Sequence, residues 1–322
     1  MEGSLLLIYR LIREKGLQPT PKGNLFMSDC CARCCAGSTR REFLKAAGGT
    51  ALVLWSGLAF ASGRGASQVQ GLNSNRPHRL TEEERNYYVN MKDKLMKKYD
   101  QATQVQREVL VKHFDETRVN AWLVEARKGY ESLIPQLPYI GGDENDFTRY
   151  LTYPSGIMPL VKILRDEGVP IRKNGQMIYE ISVGYYNAIP SLVKWFARFT
   201  YFGDSRKSRM QAAAQRSQLR RYPGDWVFEF VEGDGKSFEY GLDMTECGLV
   251  KFWNAQGLEE FTPYLCLTDY AFWRAIGIEA TRTQTIANGA SRCDFKYIRK
   301  GSNGQPGWPP ESNPEWTGRY EP

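Results

Sequence analysis

Histidine is almost missing from this sequence. Among 322 residues only His78 and His113 occur, so a catalytic or zinc site built on several imidazoles is excluded by counting. Long runs of one charge are missing too. The 43 basic and 36 acidic residues are interspersed, and their formal balance of +7 contains no block that would track a nucleic acid. No apolar stretch reaches the roughly 20 residues of a comfortable membrane span. Nor is there an internal repeat, a phosphate-cradling glycine loop, a Walker motif or a metalloprotease helix motif. What the chain does have is enough length for one or two globular domains with a real core, and seven cysteines in two sets. Cys30, Cys31, Cys34 and Cys35 crowd the N-terminus, while Cys247, Cys266 and Cys293 are spread over the last quarter.

The N-terminal set belongs to an address. Ser38-Thr39-Arg40-Arg41-Glu42-Phe43-Leu44-Lys45 matches the twin-arginine export consensus, and an uncharged, glycine-studded segment, 46–61, follows it. It ends in Ala59-Phe60-Ala61, a small-residue cleavage pattern that puts the cut after Ala61. Residues 1–61 therefore read as a leader recognised through Arg40 and Arg41 by the twin-arginine (Tat) export machinery, with Met27 as an alternative start. The expected location is periplasmic or otherwise exported, with no stable membrane span after cleavage. The four N-terminal cysteines precede the arginine pair and would leave with the leader. So would eight of the 43 basic and four of the 36 acidic residues, which leaves a formal charge of only +3.

The rest of the chain divides by pattern. Residues 62–80 are rich in Gly, Ser, Asn and Gln and read as a flexible linker. Thr81-Glu82-Glu83-Glu84 is a capping box, and from it apolar residues recur three and four apart across 81–222, predicting five to seven helices. The period then changes. In 223–300, Trp226 to Val231, a Gly233-Asp234-Gly235 turn and Phe238 to Tyr240 predict a hairpin. Two helices follow, Glu246 to Ala255 and Phe261 to Ile276, then a second hairpin from Ile278 to Ala287 and Arg292 to Arg299 around Asn288-Gly289. The fold class is α+β, an N-terminal helical bundle followed by an antiparallel sheet with two packed helices. Residues 301–322, rich in Pro, Gly and Trp, carry no period and read as an irregular wrap or a disordered end.

The three remaining cysteines carry the chemistry. Cys247 falls in the first turn of a helix, where backbone dipoles favour a thiolate and lower its pKa. Cys266 and Asp269 are three apart on one helix face, and Cys293 opens the closing strand. If both helices pack on the sheet, three sulfurs and a carboxylate converge. That set suits a cysteine nucleophile with a carboxylate partner, or a thiolate metal site of Cys247, Cys266 and Cys293. Buried core cysteines or a disulfide are the plainer alternatives, and no cofactor is required. His113 is expected on a helix surface. Trp195, Phe199, Tyr201, Trp253 and Trp273 are expected in the core, and the arginines of 216–221 at an exposed helix end.

Taken in order, Glu246-Cys247, Pro263-Tyr264-Leu265-Cys266-Leu267-Thr268-Asp269, Thr283 to Gly289 and Cys293-Asp294-Phe295 resemble the L-2-amino-thiazoline-4-carboxylic acid hydrolase family. The likeness extends over roughly 90–300, with the distinctive motifs in the last stretch. It implies a small-molecule substrate and hydrolytic opening of a cyclic amidine to a carbamoyl-cysteine. It further implies Cys247 or Cys266 as nucleophile, Asp269 as proton carrier, Cys293 as a supporting thiol and Arg282 as partner of the substrate carboxylate. The Thr-rich strand, glycine turn and Cys-x-Phe ending also resemble 4-vinyl reductase-type domains, which implies a non-catalytic small-molecule or metal-binding pocket instead.

Overall fold

Thr81 caps the first helix as its sequence dictates: its hydroxyl accepts the Glu84 amide and the Glu84 carboxylate accepts the Thr81 amide in return. The structure, a computed structural model, describes residues 78–299 and 307–321. The leader, with Arg40, Arg41 and the cut at Ala61, lies outside the described residues, as does most of the linker.

Eight α-helices precede the sheet among the described residues, one more than the upper end of the sequence expectation. They are α1 (Glu82–Asn90), α2 (Lys92–Leu110), α3 (Glu116–Leu133), α4 (Thr148–Ser155), α5 (Met158–Asp166), α6 (Ile171–Asn187), α7 (Ser191–Tyr201) and α8 (Asp204–Ser217). The apolar period dictates which faces are buried. On α3, for example, Val119, Trp122, Leu123, Ala126, Tyr130 and Leu133 line one side. The sheet contains β1 (Val227–Glu232), β2 (Tyr240–Glu246), β3 (Glu279–Thr281) and β4 (Cys293–Ile298), in the order β1-β2-β4-β3 with every pairing antiparallel. Between β2 and β3 run α9 (Gly248–Ala255) and α10 (Thr262–Ile276). This is the α+β arrangement read from the sequence, and no helix among the described residues is long and apolar enough to cross a membrane.

Three packings matter for the site. Helix α10 lies against α6, closely enough that a Cβ on Gly175 would sit 2.2 Å from the Tyr264 ring. Helix α9 packs on α4, and α8 on β1. Along β4, Cys293, Phe295 and Tyr297 face the core while the residues between them are more open, so Cys293 points inward by strand alternation.

Several boundaries differ from expectation. Strand β2 runs on to Glu246, where the sequence pattern predicted a helix start, because Tyr240, Leu242 and Met244 pair with Tyr297, Phe295 and Cys293. The second hairpin keeps only three residues in β3. The stretch after it leaves the ladder because Asp294 gathers the Thr283 and Gln284 amides and the Thr283 hydroxyl. A short 3-10 turn over Ile286–Asn288 then closes on Gly289, at φ +94°. His113 lies beyond the end of α2, between Glu180 and Lys173. Trp195 and Phe199 are not core residues. They stack on each other along α7 at 61 % and 68 % exposure, whereas Tyr201, Trp253 and Trp273 are buried. Arg216, Arg220 and Arg221 are exposed around the end of α8, as expected. The described part of the tail, 307–321, is an irregular wrap anchored by Trp308 and Trp316 against the core.

Candidate active site

The two C-terminal helices and β4 bring together the four side chains that the sequence singled out. Cys247 is the N-cap of α9, just before the first turn. Gly248 lets that turn approach Trp226: a Cβ there would meet the ring at 2.8 Å. Cys266 and Asp269 project from one face of α10, and Cys293 begins β4, where its sulfur accepts the Ile286 amide at 3.3 Å. The charges of Cys247, Cys293, Arg282 and Asp269 all act on Cys266, and Cys247 in turn feels Asp269. All three thiols are free. Among the described residues no group of three His, Cys, Asp or Glu side chains is arranged to hold a metal.

The environment corrects one electrostatic expectation. Burial raises the Cys247 thiol above its ordinary value, and the amides of Val250 and Leu249 recover only part of that shift. Cys266 is raised further, again by burial, with Arg282 opposing. Cys293 is pushed up to about 12 by burial. The helix end therefore favours a Cys247 thiolate without winning outright, and Cys247 is the only one of the three with helix N-terminal amides behind it.

Arg282 follows β3 and is 1 % exposed. Four of its five N–H donors are taken: Nη2 and Nε reach Glu315 Oε1 at 2.8 and 3.3 Å, Nη1 reaches Asp269 Oδ2 at 2.9 Å, and Nη2 also reaches the Cys266 carbonyl at 3.0 Å. The Tyr270 hydroxyl donates to both Glu315 oxygens at 2.9 Å. Glu315 lies in the tail, and no sequence pattern marked it. One cation thus serves two carboxylates. Burial raises the Asp269 carboxyl; Arg282 pulls it down but is shared with Glu315, whose charge pushes it back up. A carboxyl left partly uncompensated in this way is suited to hold and release a proton.

A second group of side chains, unmarked by the sequence, meets the first. Arg149 and Tyr150 stand on α4, which packs on α9, and Arg206 on the first turn of α8. The Tyr150 hydroxyl interacts with both guanidiniums. Tyr150 and Asp269 both act on the Tyr186 hydroxyl, and Arg206 and Asp269 both act on that of Tyr297. Asp269 keeps 45 % of its side chain open and Tyr150 39 % of its surface, yet burial is the largest influence on both. Cys247 and Cys266 are likewise half-buried, with burial the largest influence on each.

No curated protein and no solved structure matches the chain. The model of one family, described as L-2-amino-thiazoline-4-carboxylic acid hydrolase, matches residues 191–297, a span that holds Arg206, Cys247, Cys266, Asp269, Arg282 and Cys293 and supports a hydrolase-like function.

Proposed function

We propose that the protein hydrolyses a cyclic amidine of the 2-amino-thiazoline-4-carboxylate type, with Cys247 as nucleophile and Asp269 as proton carrier. The observation that carries this is the packing of α9, capped by the Cys247 thiol, on α10, which carries a carboxyl of raised pKa at Asp269, inside the span matched by the hydrolase family. As Asp269 takes the thiol proton, the Cys247 sulfur adds to the ring carbon between sulfur and nitrogen. The ring carbon–sulfur bond then breaks, and the ring sulfur leaves with the proton from Asp269. Water adds to the carbon of the resulting S-linked isothiourea. The bond to Cys247 breaks, the thiol regains its proton, and a carbamoyl-amino thiol is released after consumption of one water. Cys266, half-buried, and Cys293, buried, are the supporting thiols. Arg282 acts by holding Asp269 in place; a substrate carboxylate at Arg282 itself would have to displace Glu315.

Ring opening followed by appearance of the product thiol tests this reading. Cys247→Ala should abolish turnover, Asp269→Asn should slow it by about 10²–10⁴-fold, and both should keep the far-ultraviolet dichroism of the parent. Full activity in both variants would overturn the assignment. The raised thiol pKa values favour a second reading, a ligand pocket that performs no chemistry. It predicts that the thiazoline binds and is recovered intact.

We further propose that the chain is exported through its twin-arginine leader and cut after Ala61. Support comes from the motif around Arg40 and Arg41 and the small-residue site that follows it. Replacing both arginines by lysine should leave the product in the cytoplasmic fraction; unchanged export would refute the route.

A further inference from the structure

Arg206 is 92 % buried, since its relative exposure is 8 %. Its Nε donates to the Tyr240 hydroxyl at 3.0 Å, and its guanidinium lies 4.2 Å from the centre of the Tyr201 ring. No carboxylate pairs with it among the described residues. Arg149 likewise has no carboxylate partner among the described residues: its guanidinium covers the Tyr150 ring at 4.9 Å, Nη2 lies 3.3 Å from the Tyr150 hydroxyl, and its buried Nε has no hydrogen-bond partner there. Arg149 reaches the Tyr150 hydroxyl and Arg206 acts electrostatically on the same oxygen, so aromatic faces surround two cations that no carboxylate among the described residues answers. Burial pushes the Tyr150 hydroxyl up, yet the two guanidiniums outweigh it and lower its pKa, so this corner favours negative charge. An uncompensated buried cation is costly, and a bound anion offsets that cost through charge-assisted, fork-like hydrogen bonds.

We infer that Arg149, Arg206 and Tyr150 form a subsite for the carboxylate of a small ring-bearing substrate whose ring is held near Cys247 and Asp269. Helix α4, which carries Arg149 and Tyr150, packs on α9, whose N-cap is Cys247, and Arg206 lies over the Tyr201 ring, which meets Phe272 on the helix that carries Asp269, so packing joins the two ends of the site. The inference rests on the ring-opening reading for what occupies the other end. Arg282, closed off by Glu315, is left to position Asp269.

Titration calorimetry with L-thiazolidine-4-carboxylate, which lacks the amidine carbon and cannot be opened, tests the subsite without chemistry. The intact protein should bind it and should not bind its methyl ester. Arg149→Gln, at a half-buried position, should weaken binding by about tenfold to a hundredfold, the range expected for one charge-assisted bond. Arg206→Lys, which keeps the charge and loses the fork, should weaken it by roughly tenfold. No binding by the intact protein, or unchanged binding by Arg149→Gln, overturns the subsite. In the ring-opening assay, Arg149→Gln should raise KM for 2-amino-thiazoline-4-carboxylate and leave kcat/KM for 2-amino-thiazoline, which has no carboxylate, unaltered. An equal loss on both substrates also overturns it. Carboxylate binding with no ring opening by the intact protein would sink the reaction and uphold the subsite, whereas ring opening indifferent to Arg149 would do the reverse.

Discussion

Arg282 and Arg206 are both buried, but their surroundings are opposites. Arg282 is enclosed by Glu315, Asp269 and a carbonyl, with Phe295 and Tyr270 rings at 5.0 and 5.4 Å. Arg206 has aromatic faces and a phenol but no carboxylate among the described residues. A cation whose counter-charges belong to the protein holds structure together. One that lacks them is maintained at a cost to stability, and such costs concentrate where a ligand completes the arrangement.

The comparison breaks most visibly at Arg282. Glu315→Gln leaves its charge short of a partner deep in the core and should cost about 3–5 kcal/mol, measured by denaturant unfolding. Pairing Arg282→Met with Glu315→Leu removes both charges and should recover most of that loss; failure to recover would mean that the pair does more than neutralise itself. Arg206→Met is expected to behave the other way. The Tyr240 hydroxyl still donates to the Tyr201 carbonyl at 3.3 Å, so stability should change by no more than about 1 kcal/mol, or rise, while carboxylate binding disappears. A loss as large as that of Glu315→Gln would erase the distinction. The smallest effect concerns a carboxylate near the surface. The Thr81 amide, followed by His78, holds Glu84 down from 4.5 to about 2. Since the folded value lies below the unfolded one, this contribution is complete above about pH 4.5 and fades as pH falls towards 2. Glu84→Gln should flatten that part of the acid-unfolding curve and leave neutral stability slightly lower.

Much of this molecule is legible from residue spacing. The change from a period of three to four residues to one of two announces the passage from helices to sheet. The gap of three between Cys266 and Asp269, and the turn before Cys293, fix faces that tertiary packing then brings together. Spacing is silent where the partner is distant. Glu315 is 33 residues beyond Arg282 in a segment with no period, and Arg149, Tyr150 and Arg206 become a group only when α4 and α8 are docked. Amphipathic spacing also cannot say whether an apolar stripe will be covered, which is why Trp195 and Phe199, spaced like core residues, stand in solvent. At Cys247 a helix end is visible in the sequence, whereas the burial that outweighs it is not.

The contact between Arg282 and Glu315 also bears on where a working unit can be cut. The family-matched span ends at residue 297, before the carboxylate that neutralises its own deepest cation, and begins at 191, after the α6 face on which α10 rests. Excised at those borders, the segment would hold the three thiols and Asp269 but would expose the seat of α10 and strand the Arg282 charge. The recognisable signature and the folding unit are therefore different objects here, and a minimal active fragment must extend past both ends of the signature.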